Sequence, residues 1–266
     1  MTSKRIISIH TTATITGVSE GDSYIEIVEG QFEKRFQQLF EKYLPENAVV
    51  FDIGANIGLV SIIAAKIRPG SRVYSFEAGA HVCEVLKENV ANNYLSNVFP
   101  QHCAVADFDG SISFIENSAY GHAVEGGSSN DDGSTVAVPC FRIDSLVQKF
   151  SPQGVDLIKL DIEGFEPQAL KGAIATISDF DPVFLMEINP WCIENYGKVD
   201  FKIFCQEIFA QFKFVYIINK NWHEEHPIRP INFDELMGFI DESESLFVDD
   251  LVFCNSPKLC TIAEHG

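Results

Sequence analysis

The chain has 266 residues, 46% of them hydrophobic and 22 of them phenylalanine, enough for one large α/β domain or two small ones with an aromatic-rich core. Its formal net charge of -19 repels phosphate backbones and anionic membranes, and its Lys and Arg are scattered too thinly for a basic patch, so no nucleic acid or membrane partner is expected. Seven widely spaced cysteines in mostly apolar runs read as reduced, buried thiols, and no stretch is patterned as a signal peptide or long enough for a membrane span; a cytoplasmic soluble protein is expected.

Residues 11 to 29 alternate as two strands around Gly17 to Asp22, predicting a β-hairpin, and apolar residues from Gln31 to Leu44 recur at helical spacing until Pro45. Residues 1–47 therefore read as a hairpin and covering helix, 48–256 as the main domain and 257–266 as a tail. Ala48 to Asp52 is a buried strand, followed by a glycine-studded turn and a helix from near Ile57 that is apolar on nearly every face through Ala65. Arg72 to Glu77 is a second strand, Ala80 to about Tyr94 a helix, and Val98 to Ala106 a third strand. After the turn at Asp107-Phe108-Asp109-Gly110, Ser111 to Ile115 and Val136 to Phe141 predict a ribbon added to the sheet, separated by a long loop rich in Gly, Ser, Asn and Asp.

Val155 to Asp161 is a fourth strand, leading through Ile162-Glu163-Gly164-Phe165-Glu166 into one helix with Ala169, Leu170, Ala173, Ile174 and Ile177 inward. Pro182 to Ile188, the helix Phe201 to Phe212, and the strands Phe214 to Ile218 and Leu246 to Cys254 follow, with Asn232-Phe233-Asp234-Glu235 forming a capping box for a short helix between the last two. Strands alternating with helices predict an open, doubly wound, Rossmann-like α/β sheet that binds ligands at the carboxyl ends of its strands. Asp52, Glu77, Ala104 to Ala106, Asp161 and Glu187 all fall at such ends.

The turn Asp52-x-Gly54-x-Asn56-x-Gly58 admits two readings. Glycines at a helix N-terminus leave backbone N–H groups open to an anion. A dinucleotide site wants three glycines as G-x-G-x-x-G, whereas a site for S-adenosylmethionine (SAM) wants an acid beside free N–H groups, to suit the ligand's ammonium and carboxylate. Glu77 lies 25 positions past Asp52, near the spacing at which a carboxylate grips ribose hydroxyls; the plainer reading is a helix cap or a solvated acid.

Phe51-Asp52-Ile53-Gly54-Ala55-Asn56-Ile57-Gly58, Ser75-Phe76-Glu77, the segment Asp156 to Glu166 with its Lys159-x-Asp161-x-Glu163-Gly164-x-Glu166 pattern, and Leu170-Lys171-Gly172-Ala173 together resemble the FkbM family of class I SAM-dependent methyltransferases. The likeness runs from about Gly30 to Pro190. It implies a seven-stranded, mostly parallel sheet with an antiparallel last strand, SAM as donor with S-adenosylhomocysteine (SAH) as product, and O-methylation of a small hydroxylated acceptor such as a sugar or secondary metabolite. On it, the Gly54-Ala55-Asn56-Ile57-Gly58 turn holds the methionine part of SAM, with Asp52 near the ammonium and Asn56 as a further polar contact. Glu77 holds the ribose, with Ala78 standing where the family commonly has proline. The backbone at Ala104 and Val105 flanks the adenine, and Asp161 lies near the methyl group.

Methyl transfer from a sulfonium is an in-line displacement, so a protein must chiefly align the reacting atoms and give the acceptor's proton a destination. Asp161 and Glu163 are the favoured bases, with Glu187, His122, His223 and His226 behind them. Glu163 reads otherwise as an acid at the N-terminus of the next helix, and Glu187 as a partner for the in-sheet Lys159. A divalent ion on Asp161 and Glu163 is a lesser alternative. His223-Glu224-Glu225-His226 lacks metal-box spacing, and Ile188-Asn189-Pro190-Trp191 lacks the second proline of the amino-methyltransferase signature it resembles. Trp191, Tyr196, Tyr120 and Phe165 divide between acceptor-pocket wall and plain core. An NAD-dependent oxidoreductase and a non-catalytic SAM-binding scaffold are the competing functions.

Overall fold

The computed structural model describes residues 4–8, 12–17, 34–116, 121–124, 135–151, 153–218, 228–242 and 249–260. At the N-terminus β1 (Lys4–Ser8) pairs antiparallel with β2 (Thr12–Thr16), so the expected hairpin strand finds its partner before it in the chain. The other expected arm, Tyr24 to Val28, lies outside the described residues. The covering helix is α1 (Lys34–Tyr43).

The main domain runs β3 (Val49–Ile53), α2 (Leu59–Ile67), β4 (Arg72–Glu77), α3 (Ala80–Asn92), β5 (Val98–His102), β6 (Ala104–Val105), β7 (Gly110–Ile115), β8 (His122–Val124), β9 (Thr135–Phe141) and α4 (Ile143–Phe150). It continues through β10 (Leu157–Leu160), α5 (Glu166–Lys171), α6 (Ile174–Phe180), β11 (Val183–Ile188), α7 (Pro190–Asn195), α8 (Phe201–Gln211), β12 (Phe214–Ile218), β13 (Ile228–Pro230), α9 (Phe233–Glu242) and β14 (Asp249–Cys254). The large sheet has the order β13-β12-β14-β11-β10-β3-β4-β5, eight strands among the described residues rather than seven, the extra one being the short edge strand β13. Strands β5, β4, β3, β10 and β11 are parallel, and β14 runs antiparallel to both β11 and β12. The chain winds outward from β3 and then returns to β10, so the switch point falls between these two strands, where such sheets bind ligands.

Strand alternation divides the core. Val50 faces β2, α1, α2 and α3, while Phe51 and Ile53 face α4, α5, α6 and α8. Helix α2 is buried from Leu59 through Ala65 because the sheet lies under it and α1 and β2 cover its outer side; this explains why it is apolar all round. Leu259, in the expected tail, is buried in the same cluster.

Several expectations change. The third strand breaks at Cys103, whose N–H still bonds to Glu77 O at 3.0 Å, and Ala104–Val105 leaves to pair with β9. The ribbon is thus no addition to the main sheet but part of a separate four-stranded one, β6-β9-β7-β8. Its apolar side packs with Phe165, Ile162 and Ala78, over the ends of β10 and β4. The single helix expected after Gly164 is two. Asp144 ends the gap by accepting from Ala175 and Thr176 N–H at 3.1 and 2.8 Å, and Ile174, expected inside, is 68% exposed. Helices α4 and α7 have no counterpart in the expectations.

Candidate active site at the switch point

The turn between β3 and α2 holds three left-handed residues, Gly54 (φ 76), Asn56 (φ 50) and Gly58 (φ 91). The N–H groups of Gly54 and Ala55 go to Phe76 O (2.9 and 3.0 Å), that of Asn56 to Glu77 Oε2 (2.9 Å), that of Ile57 to Asn56 Oδ1 (2.8 Å) and that of Gly58 to Ala55 O (2.9 Å). Each backbone donor from Gly54 to Gly58 is therefore engaged within the protein, so this stretch itself presents no free N–H to an anion. The glycines answer to packing rather than to ligand approach. A Cβ on Gly54 would stand 1.7 Å from Asp161 O, and one on Gly58 would stand 2.3 Å from Leu86 Cδ1.

Glu77, at the tip of β4, clamps this turn to the next: Oε2 accepts from Asn56 and Oε1 from Gly79 N–H at 2.8 Å. Burial pushes its carboxyl up to about 7 against these two bonds. Each oxygen keeps a second lone pair, so the clamp and a further O–H donor are compatible. Ala78 is half-buried, and its carbonyl bonds to His102 Nε2 at 2.9 Å. Ala104 and Val105 are buried and paired with Cys140 and Phe141.

Asp52 is fully buried and faces α2: Oδ2 accepts from Ser61 at 2.5 Å. Ser61 spends its one proton there, so the 2.6 Å contact with Ser75 is donated by Ser75. Burial raises the carboxyl's pKa, with Lys159 (3.9 Å) and Ser61 opposing. Lys159 lies beside Asp52 in the β3/β10 register and bonds Asp161 Oδ2 at 2.9 Å, so one buried ammonium bridges an inner and an outer carboxylate. Asp161 keeps 35% of its side chain exposed.

Glu163 (φ 51) and Gly164 (φ 99) form a second left-handed turn, and a Cβ on Gly164 would stand 2.2 Å from Cys192 O. A glutamate held there stores roughly 1–3 kcal/mol of backbone strain, a cost characteristic of functional turns. Its Oε2 accepts from Cys192 Sγ at 3.2 Å, and burial followed by the charge of Asp161 raises its pKa. The bond back to the turn at the foot of α5 belongs instead to Glu166, whose Oε1 accepts from Ile162 N–H at 2.9 Å and whose carboxyl burial pushes up to about 7.

Glu187 is opposite Asp250 in the β11/β14 register, and burial with the nearby charges of Asp161, Asp250 and Glu163 raises its pKa well above the usual range. The ion pairs of Lys159 include Asp161 and Asp52. The three expected catalytic carboxylates do converge. Beside them His122 stacks on Tyr196 (3.7 Å, 14°) and Trp191 meets Tyr196 edge-on (5.1 Å, 89°). Trp191 is 51% exposed, whereas Phe165 is core. Asn189 accepts from Cys192 N–H at 3.2 Å and Pro190 opens α7, so the Asn-Pro pair caps a helix. His223, His226 and Tyr120 lie outside the described residues, and among the described residues no group of three or more His, Cys, Asp or Glu is placed to hold a metal ion.

Ser61, Cys192 and Asp250 join the site without having been candidates in the sequence, and Glu166 joins it from the family pattern. Ser61 had a signal, as a lone polar residue in an apolar helix; Asp250 had none, because strand register alone puts it against Glu187.

A doubly wound sheet with acids at the carboxyl ends of its strands defines a Rossmann-like α/β domain. The chain matches the Methyltransferase FkbM domain over residues 52–218, and it belongs to that family of methyltransferases. It is 27% identical over 184 residues to methyltransferase sdnD of Sordaria araneosa, covering 56% of this chain and 70% of that one. It is 26% identical over 127 residues to hexuronic acid methyltransferase AglP of Haloferax volcanii, covering 48% of this chain and 50% of that one. The crystal structure of methyltransferase FkbM from Methylobacillus flagellatus KT superposes with a TM-score of 0.47 at 17% identity, over 78% of this chain and 44% of that chain. The chain thus spans only part of each of these relatives. Among the described residues no helix is long and apolar enough to cross a membrane.

Proposed function

We propose that the domain is a SAM-dependent O-methyltransferase acting on a hydroxyl of a small acceptor such as a sugar or secondary metabolite. The observation that carries this reading is the clamp of Glu77 on the Gly54 to Gly58 turn, next to the half-exposed Asp161, at the switch point of the sheet. SAM, when bound, supplies a methyl group on a sulfonium. Glu77 takes the ribose hydroxyls on its spare lone pairs, the partly exposed Ala78 and Ile162, at the edge of the apolar cluster that holds Ala104, receive the adenine, and the turn with Asn56 shapes the methionine end. Asp52 acts from within, fixing α2 through Ser61 and sharing Lys159 with Asp161.

Asp161 is the favoured general base and Glu163 its neighbour in reserve. Lys159 fixes the Asp161 carboxylate through one of its oxygens. The acids Asp161, Glu163 and Glu187 favour a neutral acceptor. A hexuronic acid, the substrate named for the Haloferax relative, would bring like charge against them. Trp191, edge-on to Tyr196, offers an exposed face for the acceptor's ring.

Thermal-shift titration tests the donor: SAM and SAH should stabilise the folded chain in a saturable way and NAD should not. No shift with either sulfur ligand would remove the proposal, and a shift with NAD alone would favour the oxidoreductase. Mass-spectrometric detection of a product 14 Da heavier, roughly one methylene, from a panel of glycosides tests the acceptor.

A further inference from the structure

Asn89 of α3 is fully buried, and its amide is fully used: Oδ1 accepts from Thr16 N–H at 2.7 Å, and Nδ2 donates to Thr16 O at 3.0 Å and to Ile57 O at 2.9 Å. One turn on, Asn93 repeats the pattern on Thr14, accepting from its N–H at 3.0 Å and donating to its carbonyl at 2.7 Å. Four helical residues rise about 6 Å, and two strand residues advance about 6.7 Å. The two amides therefore read alternate residues of β2 much as a neighbouring strand would.

The two asparagines differ in their third partner. Asn93 turns to the carbonyl of Asn89 and receives Lys66 Nζ, whereas Asn89 reaches the carbonyl of Ile57, inside the Gly54 to Gly58 turn. Ile57 lies between the left-handed residues Asn56 and Gly58, so anchoring its carbonyl fixes the peptide plane between two unusual dihedrals. The N–H of Asn56, one residue earlier, is the one that Glu77 clamps.

We propose that Asn89 is a positioning residue that couples the seating of Thr16, at the end of the N-terminal strand, to the shape of the donor loop, so that Thr16 must be held on Asn89 for SAM to bind at full strength. The chemistry is specific to asparagine. Aspartate offers no donor to Thr16 O or Ile57 O, and leucine fills the volume without any bond. The inference rests on the reading of this turn as the SAM loop.

The test compares Asn89→Ala and Asn89→Leu with Asn93→Ala in the full chain, reading SAH affinity by calorimetry, amide exchange at residues 54–58 and 12–16, and thermal midpoint. All three variants should lower the midpoint. The Asn89 variants should also weaken SAH about tenfold, as expected for losing a buried hydrogen bond, and speed exchange at residues 54–58. Asn93→Ala should leave affinity within about twofold and that exchange unchanged. Bound SAH should protect the Thr16 amide in the native chain but not in the Asn89 variants. Equal effects of the Asn89 and Asn93 changes on the loop, or none, overturn the coupling. If the native chain binds no SAH, the donor reading fails by itself, while exchange at residues 54–58 still decides whether Asn89 holds the loop.

Discussion

Two turns sit side by side at the switch point, one after β3 and one after β10, and both are built from left-handed residues. In the first, Gly54 to Gly58, every backbone donor is satisfied internally and the glycines are there because Asp161 O and Leu86 press against them. In the second, Asp161 to Glu166, the backbone is strained at Glu163, and the carboxylates of Asp161 and Glu163 are held by Lys159 and Cys192. The contrast separates two duties. One turn is a finished, rigid surface against which a ligand is placed, and the other carries the acids Asp161 and Glu163.

Breaking the second turn should have the largest effect on turnover. Asp161→Asn keeps an oxygen for Lys159 but removes the base, so kcat should fall about 10²–10⁴-fold, with SAH affinity within a few-fold. Glu163→Gln should cost less. If the losses are reversed, the base is Glu163, and if neither change slows a measured methylation, neither residue is the base. Breaking the first turn should instead show in stability. Gly54→Ala drives a methyl group into Asp161 O and strains a φ of 76°, so unfolding should become easier by on the order of 3 kcal/mol, read in a denaturant titration. A near-neutral result would mean that the two turns do not press on each other.

The two turns were also unequally legible in the sequence. The β4 boundaries and the acids at strand ends could be read because alternation and loop chemistry are local. The purpose of Gly54 could not, since its steric neighbour is Asp161 O on the next strand. Likewise the strand register that sets Asp250 against Glu187, and the break at Cys103 that takes β6 into a second sheet, depend on contacts between segments far apart in the chain. Ile174 was misplaced because a helical pattern was carried through Gly172, whose backbone passes so near Ala106 O that a Cβ would stand 2.3 Å from it. The helices α4 and α7 are short, and two turns of amphipathic spacing give a weak signal.

Protonation is where the two turns are alike. Glu77 and Glu166 both rise from an ordinary 4.5 to about 7 through burial, one clamping each turn. A carboxyl whose pKa is higher folded than unfolded holds its proton more tightly in the folded chain. Its contribution to stability is full below about pH 4.5 and is lost as pH rises through about 7. The thermal midpoint should therefore drop by several degrees, roughly a few kcal/mol, between pH 5 and 7.5. Ribose hydroxyls donate to the ionised form of Glu77, so SAH binding near pH 6.5 should release up to about one proton. Calorimetry in buffers of different ionisation enthalpy reads that release. Its persistence in Glu77→Gln would assign it to another group.

The smallest effect belongs to the aromatic rim. Trp191 is half in solvent and meets only an edge of Tyr196, so Trp191→Ala should barely move the thermal midpoint. If its face receives the acceptor's ring, the lost contact is about 0.5–1.5 kcal/mol, which appears as a KM for acceptor raised a few-fold to about tenfold with kcat and SAH affinity unchanged. A fall in SAH affinity instead would place Trp191 on the donor side and move the acceptor away from α7. Tyr196→Ala should do more than Trp191→Ala, because Tyr196 touches both His122 and Trp191, and its ring ties β8 of the small sheet to the end of α7 beside Glu163. The order of these two variants therefore distinguishes a ring that only meets the acceptor from one that also holds the turn after β10 in place.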